Sequence, residues 1–403
     1  VKMMKFQAVD GYQLRLFITG LFALLISATA AIAAGIYLGS VSDVLAYLPS
    51  LMVLVPPSIN MRGSISGVLA SRLSSSMHLG EFEINFSKNS LLGLNTRVSL
   101  YISIFIAFAL GIIAYVISSF FGINGINPWD YLVISVFSGV LSSLIVMGFA
   151  LVVIISSYNR GVDLDMVGSP SVTTAADLIT IPILVLTALF VLGLSQEVRY
   201  ILLVPVIFFF ALSVYSSFLS GNEKKSISKE IVTLLVPLSV LCTFAGVTYA
   251  SDIDKLVDFA VFLVLIPPFT GGCGSIGGIL CSRLATGMHT GELSPHIFPG
   301  KGTGWYFAST YLYACIIMPF LAVVANSCAI YLGMSTPGFY EVLITCLVAG
   351  MIVITFVNLV GYITASVSFR RGFDPDNFGV PVITSFIDLA GATVLVTIIN
   401  LIT

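Results

Sequence analysis

"PPSINMRGSISGVLASRLSSSMHLGE" runs from Pro56 to Glu81, and "PPFTGGCGSIGGILCSRLATGMHTGE" runs from Pro267 to Glu292, 211 residues further on. Between Val55–Glu81 and Ile266–Glu292, 14 of 27 positions are identical without a gap. Shared hydrophobicity alone does not produce that agreement. The offset also pairs Arg160-Gly161 with Arg371-Gly372, Pro170 with Pro381, Thr173 with Thr384 and Asp177 with Asp388. The chain therefore contains a duplicated unit, and these stretches are its most recognisable part.

Of 403 residues, 58% are apolar and 9% charged, which places the chain among integral membrane proteins. A net charge of -2 with no basic run excludes nucleic acid as a partner; the partner is the bilayer. The six cysteines fall in apolar segments of the second half, without the paired spacing of a zinc site, and read as packing residues. No cleavable leader pattern precedes the first span in "VKMMKFQAVDGYQLR".

A membrane helix needs about 20 mainly apolar residues. Eleven segments qualify: 14–38, 44–75, 95–121, 129–157, 170–194, 198–219, 229–250, 255–286, 304–332, 338–368 and 380–402. With the N-terminus cytoplasmic, 14 Lys and Arg residues fall on the cytoplasmic side and only Arg199 and Lys255 on the other. This bias predicts a multi-pass protein of the cell membrane with its C-terminus outside. The outer loops then hold seven acidic residues, among them Asp130, Asp252 and Asp258, a candidate for concentrating cations at the mouth.

Five spans repeated directly would invert the second copy. The segment at 198–219 has no counterpart and carries the chain back across, so both copies share one orientation. The expected architecture is an all-α polytopic membrane protein with two parallel five-helix units plus one linking helix. Its boundaries are 1–195, 196–226 and 227–403. Parallel repeats predict a site on the axis between them, with one monomeric chain imitating a dimer.

Asp177 in "TTAADLITIPILVL" and Asp388 in "TSFIDLAGATVLVT" are the only acidic residues deep inside predicted spans; Asp130, Glu230, Asp258 and Glu341 fall within the first four residues of theirs. A carboxylate at that depth costs about 2.5–3.5 kcal/mol on insertion scales, so it faces a cavity or a partner. Three readings compete: a bond to a neighbouring Ser or Thr within its own unit, an intramembrane acid/base dyad, and a cation site on the axis. The YD and GxGD sequences of membrane aspartyl proteases are absent. Paired carboxylates with hydroxyls and carbonyls suit hard ions such as Mg²⁺, Ca²⁺ or Mn²⁺, and a divalent ion balances both charges.

Pro56-Pro57 and Pro267-Pro268 are expected to break their helices near mid-membrane and to leave carbonyls near Val55 and Ile266 lining a path. Asn60, Ser64 and Ser275 lie just beyond as candidate pore lining, and the small residues between them suit close helix crossings. Arg62, opposite Cys273 in the repeat, must pair, obstruct the path or reach one membrane face, and gives the pore wall a charge on one side only. Arg72 and Arg283 read as cytoplasmic anchors. His78 with Glu81, and His289 with Glu292, are candidates for a cytoplasmic-mouth cation site, as more weakly are Asp163/Asp165 and Asp374/Asp376.

The "SRL" segments followed by "MH.GE", with the aspartates of "DLIT" and "DLAG" in the fifth helix of each unit, make the chain resemble the MgtE magnesium transporters. The likeness is closest to the solute carrier 41 branch, which joins two such units in one chain. It extends over essentially all 403 residues. It implies a pore between the units with hydrated Mg²⁺ near Asp177 and Asp388, no enzymatic activity and no cofactor. Gly63-Ser64 and Gly274-Ser275 stand where the family usually carries Gly-Asn, and the family's cytoplasmic Mg²⁺-sensing regions have no counterpart in these residues. The runner-up within transport is a proton- or Na⁺-coupled exporter using the same aspartates; an intramembrane aspartyl hydrolase is the distant enzymatic alternative.

Overall fold

A computed structural model describes residues 2–87, 90–123, 125–160, 164–296, 298–300, 302–372 and 378–403. Asp163, Asp374 and Asp376 lie outside the described residues, as do the side chains of His78 and Asp165. The first copy contains α1 (Lys2–Ser40), α2 (Ser42–Tyr47), α3 (Pro49–Met52), α4 (Val55–His78), α5 (Leu91–Phe120), α6 (Pro128–Arg160) and α7 (Leu164–Leu192). The link is α8 (Gln196–Ile201) and α9 (Leu203–Val214), ending in a π-helical turn at Tyr215–Leu219. The second copy contains α10 (Asn222–Ser251), α11 (Ile253–Asp258), α12 (Val261–His289), α13 (Gly304–Tyr331), α14 (Phe339–Arg371) and α15 (Val380–Ile402). No strand occurs among the described residues.

Ten of the described helical segments are long and apolar enough to cross a membrane, and α4 is not among them. At about 1.5 Å per residue its 24 residues still span some 36 Å, enough for the hydrocarbon core. Its serines and two arginines lower its hydropathy, which the packing tolerates because α4 is an interior helix. It is enclosed by α5, α6, α7 and α10, and only Ser75 is exposed among its described side chains. The eleven expected spans thus become ten lipid-compatible helices and one shielded by its neighbours.

The proline pairs act differently from expectation. In the first copy the chain breaks before them, at Val53-Leu54, and Pro56-Pro57 open α4, where their missing N–H groups leave no bond within α4 itself unmade. In the second copy Pro267-Pro268 lie inside an uninterrupted α12, and the break comes earlier, between α11 and α12. Each proline deprives the carbonyl four residues back of its donor. For Pro57 and Pro268 these are the carbonyls of Val53 and Val264, and each is met by a glycine: Gly246 of α10 lies on Val53, and Gly35 of α1 lies on Val264. The glycines are themselves 211 apart. Freed carbonyls thus face Cα–H groups of a crossing helix, a contact common at helix interfaces. They are not where the path was expected, and the Ile266 carbonyl also accepts from the Thr270 hydroxyl at 3.0 Å.

The crossing helices belong to the opposite copy. α1 packs mainly on α12, with further contact to α13 and α7, while α10 packs on α15, α5, α4 and α3. The copies therefore exchange their first helices, and neither duplicated segment forms a body by itself. The short helices α2 and α11 also meet, 211 residues apart. Below them the runs Leu51–Val55 and Val261–Ile266 are buried and apolar.

A β-carbon at either glycine would collide with a backbone carbonyl that cannot rotate away. Gly35→Ala and Gly246→Ala should each lower the thermal unfolding midpoint of the detergent-solubilised protein, by the equivalent of about 1–3 kcal/mol. Gly278→Ala, where a β-carbon meets open space, should leave the midpoint unchanged.

Candidate functional site

A cavity of about 400 Å³ lies between the two copies. Its lining follows the repeat: Val55 and Ile266 at one end, Ser71 and Ser282 at the other, with Gly63/Gly274, Ser64/Ser275 and Asp177/Asp388 between. From Val55 to Ser71 the wall of α4 runs about 24 Å at helical rise. The pseudo-twofold axis of the duplication therefore passes through a space rather than a packed core.

The carboxylates reach this space by helical spacing. Gly63 lies under the Thr173 side chain and Gly274 under Thr384, each with 3.4 Å between an added β-carbon and the threonine methyl. These small residues bring α7 onto α4 and α15 onto α12. One turn after each threonine, on the same face, stand Asp177 and Asp388. Both carboxylates line the cavity, as do Asn60, Ser64 and Ser275.

The two aspartates have different surroundings. Asn60 Nδ2 donates to Asp388 Oδ2 at 2.6 Å across the two copies. Its Oδ1 accepts from Ser385 at 3.2 Å and Ser64 at 3.3 Å, which fixes the amide orientation and fills that oxygen. The Cys242 thiol lies 3.6 Å from the same Asp388 oxygen. At Asp177 the equivalent of Asn60 is Gly271, whose added β-carbon would stand 3.8 Å from Oδ2. Asp177 has no side-chain hydrogen bond among the described residues. The reading in which each aspartate bonds a Ser or Thr of its own unit has no counterpart in these contacts.

Arg62 does not form a wall of the cavity, which corrects the expectation of a one-sided charge. It is 2% exposed and turns toward α6, where Nε donates to Ser142 at 3.3 Å and the guanidinium rests on Gly139. Nη1 has no partner among the described residues. In the second copy Met318 occupies the corresponding space on Gly350, and Ala107 stands where Met318 would be in the first. Ser138 and Ser142 likewise become Ala349 and Val353. One copy fills this pocket with a cation and hydroxyls, the other with a thioether and methyl groups.

At the charged ends of α4 and α12, Arg72 pairs with Glu230 of α10 at 3.4 Å. Arg283 donates to the Tyr313 hydroxyl at 3.2 Å, and the Tyr313 ring stacks on Phe17 of α1 at 4.5 Å. Both arginines therefore tie a second helix to the exchanged first helix or its neighbour. His289 is exposed and meets the edge of Phe369, while Glu292 accepts from Tyr306 at 3.5 Å. Glu81 is exposed. Among the described residues no three His, Cys, Asp or Glu side chains converge as for a metal ion. The outer acidic set is also partly engaged: Asp130 pairs with Arg199 at 2.5 Å, and Asp252 accepts from Asn400 at 3.0 Å.

Two neighbours of the site escaped the sequence reading. Cys242 and Tyr249 of α10 look like ordinary apolar-segment residues, and only the packing of α10 on α15 brings Cys242 to Asp388 and Tyr249 to the cavity. A usable signal was present in the offset, which sets them against Ala31 and Leu38.

The MgtE family profile, described as a divalent cation transporter, matches this chain twice, at residues 55–187 and 266–398. The matches begin and end 211 residues apart and together span well over half the chain, so the protein belongs to the MgtE family of divalent cation transporters. It is thus a multi-pass membrane transporter and not an enzyme. The chain is similar to solute carrier family 41 member 3 of Mus musculus, 24% identical over 86% of this chain and 74% of that protein. The rat member 3 (Rattus norvegicus) is 24% identical over 92% of this chain and 84% of its own length. Member 2 of Homo sapiens is 23% identical over 92% and 68%. No solved structure matches the chain.

Arg62→Cys leaves a void beside Gly139, and adding Ala107→Met supplies the side chain that fills the same space in the second copy. The single variant should lose stability, and the double variant should recover about 1–3 kcal/mol of it in thermal unfolding. Cation flux in liposomes should survive in the double variant because Arg62 does not line the cavity.

Proposed function

We propose that the principal cargo is Mg²⁺, carried as a hydrated ion through the axial cavity and attracted by Asp177 and Asp388. The single observation behind this reading is a cavity lined by equivalent residues of both copies, with one carboxylate from each. Two carboxylates match the charge of one divalent ion but are too few to replace its ligands. Mg²⁺ takes near-ideal octahedral coordination and gives up water reluctantly, so a site of few charges and many hydroxyls suits the hydrated form. Six waters at about 30 Å³ each fit in the cavity with room to spare.

The transport unit in this reading is one chain: units 1–195 and 227–403, joined by 196–226, supply both halves of the site. In this reading the N-terminus is cytoplasmic and the C-terminus outside, which the distribution of lysine and arginine supports. The cavity then runs from buried apolar runs near the outer side toward Ser71 and Ser282 on the cytoplasmic side. Ser64 and Ser275 serve as hydroxyl lining, and Asn60 positions Asp388 rather than the ion. Glu81, His289 and Glu292 contribute at most surface charge near the cytoplasmic mouth.

Reconstitution of the purified chain in liposomes with an internal Mg²⁺ indicator tests the site. Asp177→Asn and Asp388→Asn should each reduce Mg²⁺ flux at least tenfold while the purified variants keep the wild-type unfolding midpoint. Flux equal to wild type in both would remove the axial carboxylates from the mechanism.

A further inference from the structure

The two carboxylates of the axial cavity offer unequal numbers of free oxygens. At Asp388, Oδ2 accepts from Asn60 Nδ2 at 2.6 Å and lies 3.6 Å from the Cys242 thiol. Oδ1 has no hydrogen-bond partner among the described residues and is not sealed from the cavity that Asp388 lines. Both oxygens of Asp177 are unpartnered among the described residues and likewise unsealed. The Ser64 and Ser385 hydroxyls hold Asn60 by its Oδ1, which turns Nδ2 onto Asp388.

We propose that Asn60 is a positioning residue that sets ion specificity. By occupying Oδ2 it holds Asp388 to one free oxygen, and the site thereby disfavours Ca²⁺ against Mg²⁺. The inference rests on the reading of the two aspartates as the ion's axial site.

The two ions use carboxylates differently. Ca²⁺ gathers more oxygens, in a flexible geometry, and often takes both from one carboxylate, whereas Mg²⁺ is reluctant to give up its water. A hydrated ion needs one acceptor from Asp388 for a water hydrogen, and Oδ1 supplies it. A stripped Ca²⁺ gains from a chelating carboxylate. To obtain one at Asp388 it must displace the Asn60 amide from a charge-assisted bond. The displaced amide would then lose its acceptor while its oxygen stays held by the two serines.

The second copy lacks this tie but keeps its frame. Gly271 stands for Asn60, while Ser275 and Thr174 stand for Ser64 and Ser385. A β-carbon added at Gly271 meets only Asp177 Oδ2, at 3.8 Å, which is an ordinary contact. An asparagine at 271 thus finds space beside the carboxylate, with equivalents of the hydroxyls that orient Asn60.

Inhibition of Mg²⁺ flux by Ca²⁺ in liposomes reads the discrimination. Asn60→Ala should lower the Ca²⁺ inhibition constant, relative to the KM for Mg²⁺, about 3- to 10-fold, the factor of one displaced hydrogen bond. Gly271→Asn should raise that ratio, and the two changes combined should return it toward wild type. A packing role for Asn60 would move both ions alike and would not be relieved from the other copy. An unchanged ratio in both single variants, with flux lost in Asp177→Asn and Asp388→Asn, would overturn the role of Asn60 and leave the axial reading standing. If Asn60→Ala does not yield a folded chain, Gly271→Asn decides alone, because it leaves the first copy intact; an unchanged ratio there overturns the proposal. Normal flux in both aspartate variants would instead bring down the axial reading itself.

Discussion

The contact between a freed carbonyl and a glycine of the opposite copy, Val53 with Gly246 and Val264 with Gly35, is the constraint on which the rest of the structure depends. Proline cannot supply the donor that these carbonyls would have had, and an unpaired carbonyl in hydrocarbon is costly. A glycine on a crossing helix offers weakly polar Cα–H groups at a separation that no other residue permits. Because the glycine sits on the first helix of the other copy, the same contact holds the helix exchange in place. It makes one interleaved body of two duplicated sequences and leaves a cavity along their axis.

Interleaving also explains how the site became unequal without losing its frame. The threonine-over-glycine contacts that set the two aspartates are the same in both copies, so the carboxylates remain equivalent in position. The residues around them are supplied by different helices of different copies and are free to diverge. Asn60 comes to Asp388 from α4 of the opposite copy, and Cys242 comes to it from α10 of its own. The buried Arg62 shows the same freedom away from the cavity. It is accommodated by Ala107, Gly139 and the serines of α6, while the second copy fills that volume with Met318.

Much of the plan was readable before any coordinates. The offset of 211, the charge bias and the two intramembrane aspartates follow from residue identities alone, because burying charge in lipid is costly enough that few other arrangements are compatible with the chain. The proline pairs were legible as helix disruptors but not in their effect. One pair begins a helix and the other lies inside one, since a freed carbonyl is tolerated wherever a neighbouring chain approaches closely. Arg62 was legible as anomalous, but its direction depended on α6, which sequence spacing does not place beside α4.

The amino-acid sequence by itself determined the class of structure, the number of units and the identity of the carboxylates, because hydrophobicity, charge and repetition act locally along the chain. Only the tertiary structure decided which copy's helices surround which aspartate. That outcome depends on contacts between segments some two hundred residues apart, and a repeated sequence is equally compatible with packing inside one unit or across two. Packing of α4 against the opposite copy brought Asn60 to Asp388, while α10 presents Cys242 to it from the same copy and Asp177 is left beside Gly271 of α12.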